Sequence, residues 1–378
     1  MRPDHPDPEA DPELMRRSMD RRTGSEFVIR ELMMSVLRES YEDTLAAAEG
    51  ADLLVSHRLT FTPRLVAEKR GIPWASTFLQ PLGLFSVYDP PVVPQAPLLA
   101  KLWFLGPAFH RLLFWCAKRS VRSWAEPWHR LRAEVGLPPT SESPLFEGQY
   151  SPSLVLAMSS KLLADKQPDW PRQAVITGFP FYDRDGEGGM PPELVRFLDA
   201  GPPPPGLYAR LVGGGGRRPV LRKQCRRHQA AGPQGRPAGR QRPSEPTGLT
   251  SRWCRGVRLR PLLGAFPTGC CHRPPGRHRD DGAGDAVGSS MLVMPYAHDQ
   301  PDNAERVKRL GIARTIPRHR YTPARAAAEL RHLLDKPAYS QRAAEVGAEI
   351  RQEDGVRTAC GALEGLLQVA RPAEVVAE

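Results

Sequence analysis

The sequence predicts an α/β protein with a parallel sheet and crossover helices. Residues 51–79 run strand, helix, strand: "ADLLVSH", then "TPRLVAEKRG", then "IPWASTFL". Residues 291–316 repeat that order with "MLVMPY", "PDNAERVKRLG" and "ARTI". Short apolar strands alternating with single helices pair in one direction, so the first run is expected to form a parallel sheet. A chain of 378 residues has room for two domains of ordinary size.

The elements follow in order. "FVIRELMMSVLRESYEDTLAAA" places apolar residues at helical spacing, and helix is expected across 14–49. Thr62 and Gly71 bracket the next helix as a start and a stop. Residues 97–136 predict two more helices, rich in Trp, Phe, Leu and Arg. "SLVLAMSS" and "QAVITGFPFYD" are two further strands. "DRDGEGGMPPE" reads as an exposed linker, and "LVRFLDAG" as a helix with a glycine end. After 290, three helices are expected near 323–335, 338–352 and 355–370. The implied organisation is a first domain at 1–185, a linker and helix at 186–204, an anomalous segment at 205–290, and the rest of a second domain at 291–378.

The anomaly is compositional. The formal net charge of +11 first points to an acidic partner. Residues 201–290 hold 17 Lys and Arg against 4 Asp and Glu, whereas the remainder holds 36 basic and 38 acidic residues. The same window carries four of the six cysteines and 17 of the 33 glycines. One segment therefore accounts for the whole excess. The cysteines show no repeated spacing, so a reducing compartment is expected. Cys270 and Cys271 are adjacent, which is no metal-ligand spacing, and no metal site is expected. There is no apolar run of membrane-spanning length, and "MRPDHPDPEADPEL" does not resemble a signal peptide. A cytoplasmic location is expected.

Taken literally, residues 205–290 look like a disordered Arg/Gly/Pro segment of an RNA-binding kind. The genetic code offers another reading. If the frame starts at the second base of each codon, Gly276 to Ser289 permits "GGIGTTGQAMRSG". Upstream, His272 to Gly276 allows "IVHQ", and Leu259 to Cys270 allows "YAPYSELFPRA". Gly232 to Gln241 allows "GRRAVLLVG", and Gly206 to Gly215 allows "VFTLGSSAV". These strings restore strand–loop–helix alternation. One base gained near the Pro202–Pro205 run and one lost near Ser290 account for the whole segment.

The visible "MLVMPYAHDQPDNAERVKRLGIA", joined to the hidden "HQGGIGTTGQAMRSGRP", resembles the donor-binding signature of nucleotide-sugar-dependent glycosyltransferases. The similarity is to the UDP-glucosyl/glucuronosyltransferase-like superfamily, bacterial members acting on lipids, sterols or natural products. It implies the GT-B fold: two Rossmann-like domains facing a cleft, the second interrupted here by the out-of-frame segment. It implies inverting transfer of a hexose from a UDP-sugar, or another nucleotide diphosphate sugar, to a hydroxyl of a hydrophobic acceptor. The nucleotide sugar is a substrate, and no cofactor is implied. The physics agrees. A glycine-rich loop feeding a helix amino end offers free N–H groups to a diphosphate. An Asp–Gln pair past a strand end can accept from and donate to sugar hydroxyls.

The resemblance places His298, Asp299 and Gln300 on the donor sugar, with Asn303 supporting their turn. The plain structural alternative is that Asp299 only caps the following helix. The family's base deprotonates the acceptor hydroxyl. It sits near a first strand that has no counterpart before Met15, so the first strand–helix–strand unit is expected to be missing. His57, at the end of "DLLVS", is a candidate for that role, the alternative being an ordinary loop histidine. "KLWFLGPAFHRLLFWCAKR", Lys101–Arg119, could line an acceptor pocket or touch a membrane surface. The plainer expectation is a core helix with a basic outer face, His110 included.

As translated, the chain has "RPPGRHRDDGAGD" where the diphosphate loop belongs. Arg277, His278 and Arg279 read there as a solvated charge run. The literal chain is therefore expected to be inactive or nearly so. Two alternatives stay open: a nucleic-acid-binding protein using the basic segment, and a remnant that only binds acceptor. Residues 209–290 contain only Trp253 and Phe266 as stacking aromatics, which argues against the first, and no nucleic-acid partner is expected.

Overall fold

The computed structural model describes residues 11–181 and 288–370, with the backbone of 206–207 and 270–271. The expected linker at 183–193, the helix at 194–201, the diphosphate-loop segment and nearly all of 205–290 lie outside the described residues.

The expected single helix over 14–49 is instead three pieces. Helix α1 (Pro12–Ser18) is capped by Asp11, whose carboxylate accepts from the Glu13 and Leu14 N–H groups. It stops because Asp20 accepts from the N–H groups of Arg22 and Thr23, a local turn that competes with the helix. The chain then doubles back so tightly that a Cβ at Gly24 would lie 2.4 Å from the Ser18 carbonyl oxygen. Helix α2 (Gly24–Glu26) runs on as a π-helical stretch, Phe27–Met33, and α3 (Leu37–Ala47) follows.

Strand β1 (Leu54–His57) leads to helix α4 (Pro63–Arg70) and strand β2 (Trp74–Phe78). Pro63 suits the first helical turn, and Gly71 closes the helix at φ 68°. Thr62 does start this helix but does not cap it: its hydroxyl lies 2.9 Å from that of Thr44 and ties α4 to α3. The region 97–136 holds a 3-10 stretch at Leu99–Leu105, helix α5 (Gly106–Ser120), a 3-10 turn at Arg122–Ala125, and helix α6 (Glu126–Glu134). Strands β3 (Leu154–Ala157) and β4 (Ala174–Ile176) complete a parallel sheet in the order β1-β2-β3-β4. Trp128, Leu65, Val66 and Phe61 fill the core on one side of it, and the Trp128 indole donates to the Phe61 carbonyl at 2.8 Å.

A two-residue antiparallel pair joins β5 (Gly206–Leu207) to β6 (Cys270–Cys271). Strand β7 (Met291–Val293), helix α7 (Gln300–Arg309) and parallel strand β8 (Ala313–Thr315) form the second strand–helix–strand unit. Helices α8 (Pro323–Asp335) and α9 (Pro337–Ile350) follow it. Met291, Val293, Val307, Ile312, Val346 and Ile350 share a core with Leu163 and Phe179 from the first unit. Helix α10 (Gly355–Ala370) crosses back, and its Ala359 packs on Ala75, Leu154 and Leu156 of the first sheet. Gly355 permits that crossover: a Cβ there would lie 2.4 Å from the Phe179 carbonyl oxygen. Among the described residues no helix is long and apolar enough to cross a membrane.

Glu353 precedes the crossover. The Ser160 hydroxyl donates to one carboxylate oxygen at 2.7 Å, while the other is buried without a partner among the described residues. Burial pushes its pKa up, against the opposing Ser160 hydrogen bond. A carboxyl with a raised folded pKa gives up stability as pH rises from its unfolded value through its folded one. Glu353→Gln is therefore expected to raise the urea midpoint at pH 7 and leave it nearly unchanged at pH 4. A lowered midpoint at pH 7 would refute this.

Candidate functional site

The turn after β7 gathers the four residues singled out in the sequence. His298 is the only non-glycine residue at positive φ among those described, 56°. Such strain persists where surrounding contacts hold it, and it concentrates at functional sites. Its Nδ1 lies 3.3 Å from the Ser25 hydroxyl, which anchors the turn to the amino-terminal segment. Burial lowers the His298 pKa, against the pull of the Asp299 charge and a hydrogen bond to the Ser18 backbone, so the ring is neutral near pH 7.

Asp299 occupies the cap position of α7 but makes no side-chain cap hydrogen bond. Its carboxylate accepts instead from the Asn303 amide at 2.8 Å. Gln300 uses its carbonyl oxygen to accept the Tyr296 N–H at 2.9 Å, closing the turn and turning its amide into the available donor. Asn303 is buried, and its carbonyl oxygen has no partner among the described residues. The turn thus presents a carboxylate and an amide on successive residues, each held by a residue four positions away.

The carboxyl end of β1 faces this turn. Sequence reasoning missed Arg58 there, because nothing in the pattern marks one cation after a strand. Burial acts most strongly on the Arg58 guanidinium, and the charge of Asp299 opposes it across the gap. The guanidinium lies 5.8 Å from the Phe85 ring, and its Nε is buried with no hydrogen-bond partner among the described residues. Burial lowers its pKa. His57 is next to it. Its Nδ1 accepts the Leu59 N–H at 3.3 Å, which leaves the proton of the neutral ring on Nε2. That Nε2 is buried without a partner among the described residues. In this tautomer His57 offers a hydrogen bond and takes no proton at Nε2. Burial lowers its pKa as well. His110 is a core residue, its Nε2 3.2 Å from the Leu102 carbonyl.

A charged cluster fixes the two sides together. Arg306, on α7, reaches Asp302 at 2.7 Å, Asp89 and the Leu163 carbonyl. Asp302 accepts the Val92 N–H at 2.9 Å, and Arg309 reaches Asp89 at 2.9 Å. The loop after β2 is therefore bolted to the helix that begins with the Asp299 turn. Among the described residues no group of His, Cys, Asp and Glu has the arrangement of a metal site.

No protein-family model matches the chain. It is 30% identical over 341 residues to the O-mycaminosyltylonolide 6-deoxyallosyltransferase of Streptomyces fradiae, spanning 84% of this chain and 73% of that enzyme. The chain belongs to the family of bacterial natural-product glycosyltransferases. The glycosyltransferase GtfE of Amycolatopsis orientalis matches over 170 residues at 32% identity, 42% of this chain and 37% of the relative. Among solved structures, the glycosyltransferase of kitacinnamycin superposes with a TM-score of 0.54 at 19% identity, covering 92% of this chain and 83% of that one. The spinosyn forosaminyltransferase SpnP gives 0.53 at 16%, covering 90% and 83%. These likenesses establish the GT-B fold for this glycosyltransferase. Its family displaces the nucleic-acid-binding reading of the basic segment.

Proposed function

We propose that this glycosyltransferase moves a hexose from a nucleoside diphosphate sugar, UDP-glucose being the donor expected from the sequence, to a hydroxyl of a hydrophobic natural-product aglycone, with inversion. The observation that carries the site assignment is the Asp299 carboxylate. It sits at a helix start without capping it and is instead aimed by Asn303. In the proposed complex Asp299 accepts from one sugar hydroxyl and the Gln300 amide donates to another oxygen. His298 shapes the turn through its strained backbone and its Ser25 contact. Arg58 supplies positive charge from the opposite wall, and His57 donates to an acceptor or donor oxygen. In the frame-restored chain the leaving diphosphate would be met by loop amides and a helix end, a chemistry that calls for no metal and no cofactor. A cytoplasmic location, where nucleotide sugars are made, fits this reading.

Asp299→Asn keeps the shape and removes the charge. One hydrogen bond to a charged group contributes about 1.5–3 kcal/mol, so kcat/KM is expected to fall by about 10- to 100-fold. The comparison is made on frame-restored protein, with the thermal midpoint confirming that both proteins fold. Unchanged kcat/KM would remove Asp299 from the donor site.

We infer further that codons 205–290 are translated one base out of register. The recovered "HQGGIGTTG" supplies the loop that the family needs and the literal "RPPGRHRDDGAGD" lacks. Resequencing codons 195–295 tests it directly. One surplus base near codon 204 and one missing near codon 290 are expected, and an unaltered frame overturns the inference.

A further inference from the structure

Helix α5 does not carry the face that a core helix would. Its inner side is ordinary: Phe114 packs against Phe85 with ring centroids 6.0 Å apart, and His110 is buried. The outer side, expected to be basic, is apolar and open. Leu112 is 57% exposed and Trp115 61%, and just before the helix Trp103 is 71% exposed and Phe104 66%. Leu98, Leu99 and Leu105 are exposed alongside them. Three large aromatic side chains and several leucines left open amount to several hundred Å², roughly the size of the largest apolar patch on a typical monomer. Such a patch signals a partner.

The charge around it names the partner. From Pro90 to Ala125 the chain contains no Asp or Glu, while Lys101, Arg111, Lys118, Arg119 and Arg122 are all cationic. Arg111, Arg119 and Arg122 are exposed on or beside the same helix. Lys118 is answered by Glu147 at 2.6 Å, whereas Arg111, Arg119 and Arg122 have no acidic partner among the described residues, so a run of Trp, Phe and Leu beside these three arginines matches an anionic bilayer. The aromatic rings enter at the headgroup level while the arginines meet lipid phosphates. A protein partner or a second copy would need acidic groups to answer these cations, and the apolar face itself offers none.

We propose that the Leu98–Arg122 face is a membrane-docking surface that seats the protein on anionic lipid. The proposal is independent of the donor site. It places the acceptor-side domain at the surface where a hydrophobic aglycone partitions. The contact is peripheral, in keeping with the short, interrupted helices of this region.

The test uses the full chain with vesicles of phosphatidylglycerol and phosphatidylcholine, against phosphatidylcholine alone. The basic segment at 201–290 will attract anionic vesicles by itself, so the decisive readout is local. With brominated acyl chains in the anionic vesicles, tryptophan fluorescence is expected to be quenched. The quenching should disappear in the Trp103→Phe/Trp115→Phe variant, which conserves bulk. Arg111→Glu/Arg119→Glu is expected to lower vesicle partitioning by at least about 25-fold, since each cation near an anionic surface contributes about fivefold. These positions are exposed, so the variants should fold. Quenching that survives the Trp103→Phe/Trp115→Phe change overturns the proposal. So does partitioning unaffected by the arginine reversals, or concentration-dependent dimerisation that the tryptophan variant abolishes in the absence of quenching. UDP titration of the same proteins reports on the donor site separately.

Discussion

Restoring the reading frame across codons 204–290 is expected to raise UDP affinity by at least about 100-fold over the chain as translated. The argument rests on what a diphosphate needs. Its oxygens carry charge, and each good hydrogen bond to a charged group contributes about 1.5–3 kcal/mol. Two such bonds from a glycine-rich loop give about 3–6 kcal/mol, or two to four decades in Kd. In the proposed frame "HQGGIGTTG" would set glycine amides, free of side chains, ahead of a helix start. The literal "RPPGRHRDDGAGD" has two prolines, which lack the N–H, and three aspartates, which repel phosphate. Arg277 and Arg279 offer attraction, but their segment lacks the paired glycines of the signature. Titration calorimetry with UDP on both proteins decides it. Micromolar affinity in the chain as translated would show that the loop is dispensable.

How much of the fold is legible in the sequence depends on how plainly each local signal marks its element. "ADLLVSH", "IPWASTFL" and "MLVMPY" announce themselves because a buried parallel strand is a local apolar run with local stops. The helix ends at Gly71 and Asp335 are likewise local signals. The break after Ser18 is local too, with Asp20 turning its carboxylate back on the chain and Gly24 passing close to Ser18, but the helical spacing of apolar residues runs straight through it. Helix α5 shows a different limit. Period 3.6 tells that Leu112 and Trp115 share a face, but not whether protein covers it.

The candidate site divides in the same way. The His298–Asn303 cluster is contiguous, so a motif could find it. Which of its groups does what depends on geometry. Asp299 looks like a helix cap by position, yet only the absence of a cap hydrogen bond and the bond from Asn303 distinguish a held carboxylate. Arg58 lies far away in sequence and meets Asp299 only through the fold. Asp302 and Arg306 are not singled out by the sequence, because their third partner, Asp89, lies 217 residues from Arg306.

That cluster carries the largest expected stability effect. Arg306 and Asp302 are buried, and Arg306 is shared between Asp302 at 2.7 Å, Asp89 and the Leu163 carbonyl at 3.1 Å. Arg306→Ala strands a buried carboxylate without its cation, and breaking such a pair costs about 3–5 kcal/mol. Arg306→Met/Asp302→Leu removes both charges together and should recover much of that loss, since Asp89 keeps Arg309 at 2.9 Å. The pH dependence follows from Asp89. Burial pushes its carboxyl up, but Arg306 and Arg309 outweigh burial and hold it below the usual carboxylate range. A lowered folded pKa gives stability that is present above the unfolded value, about 3.9, and is lost as pH falls through the folded one. The advantage of the wild type over the apolar double variant should therefore shrink below about pH 4. Urea midpoints for the three proteins at pH 7 and pH 3 test both claims. The cluster also joins the loop after β2 to the helix that begins at the Asp299 turn, so a folded Arg306→Lys variant should raise KM for acceptor and donor together. An Arg306→Ala protein as stable as the wild type would mean that the cluster holds neither the fold nor the cleft.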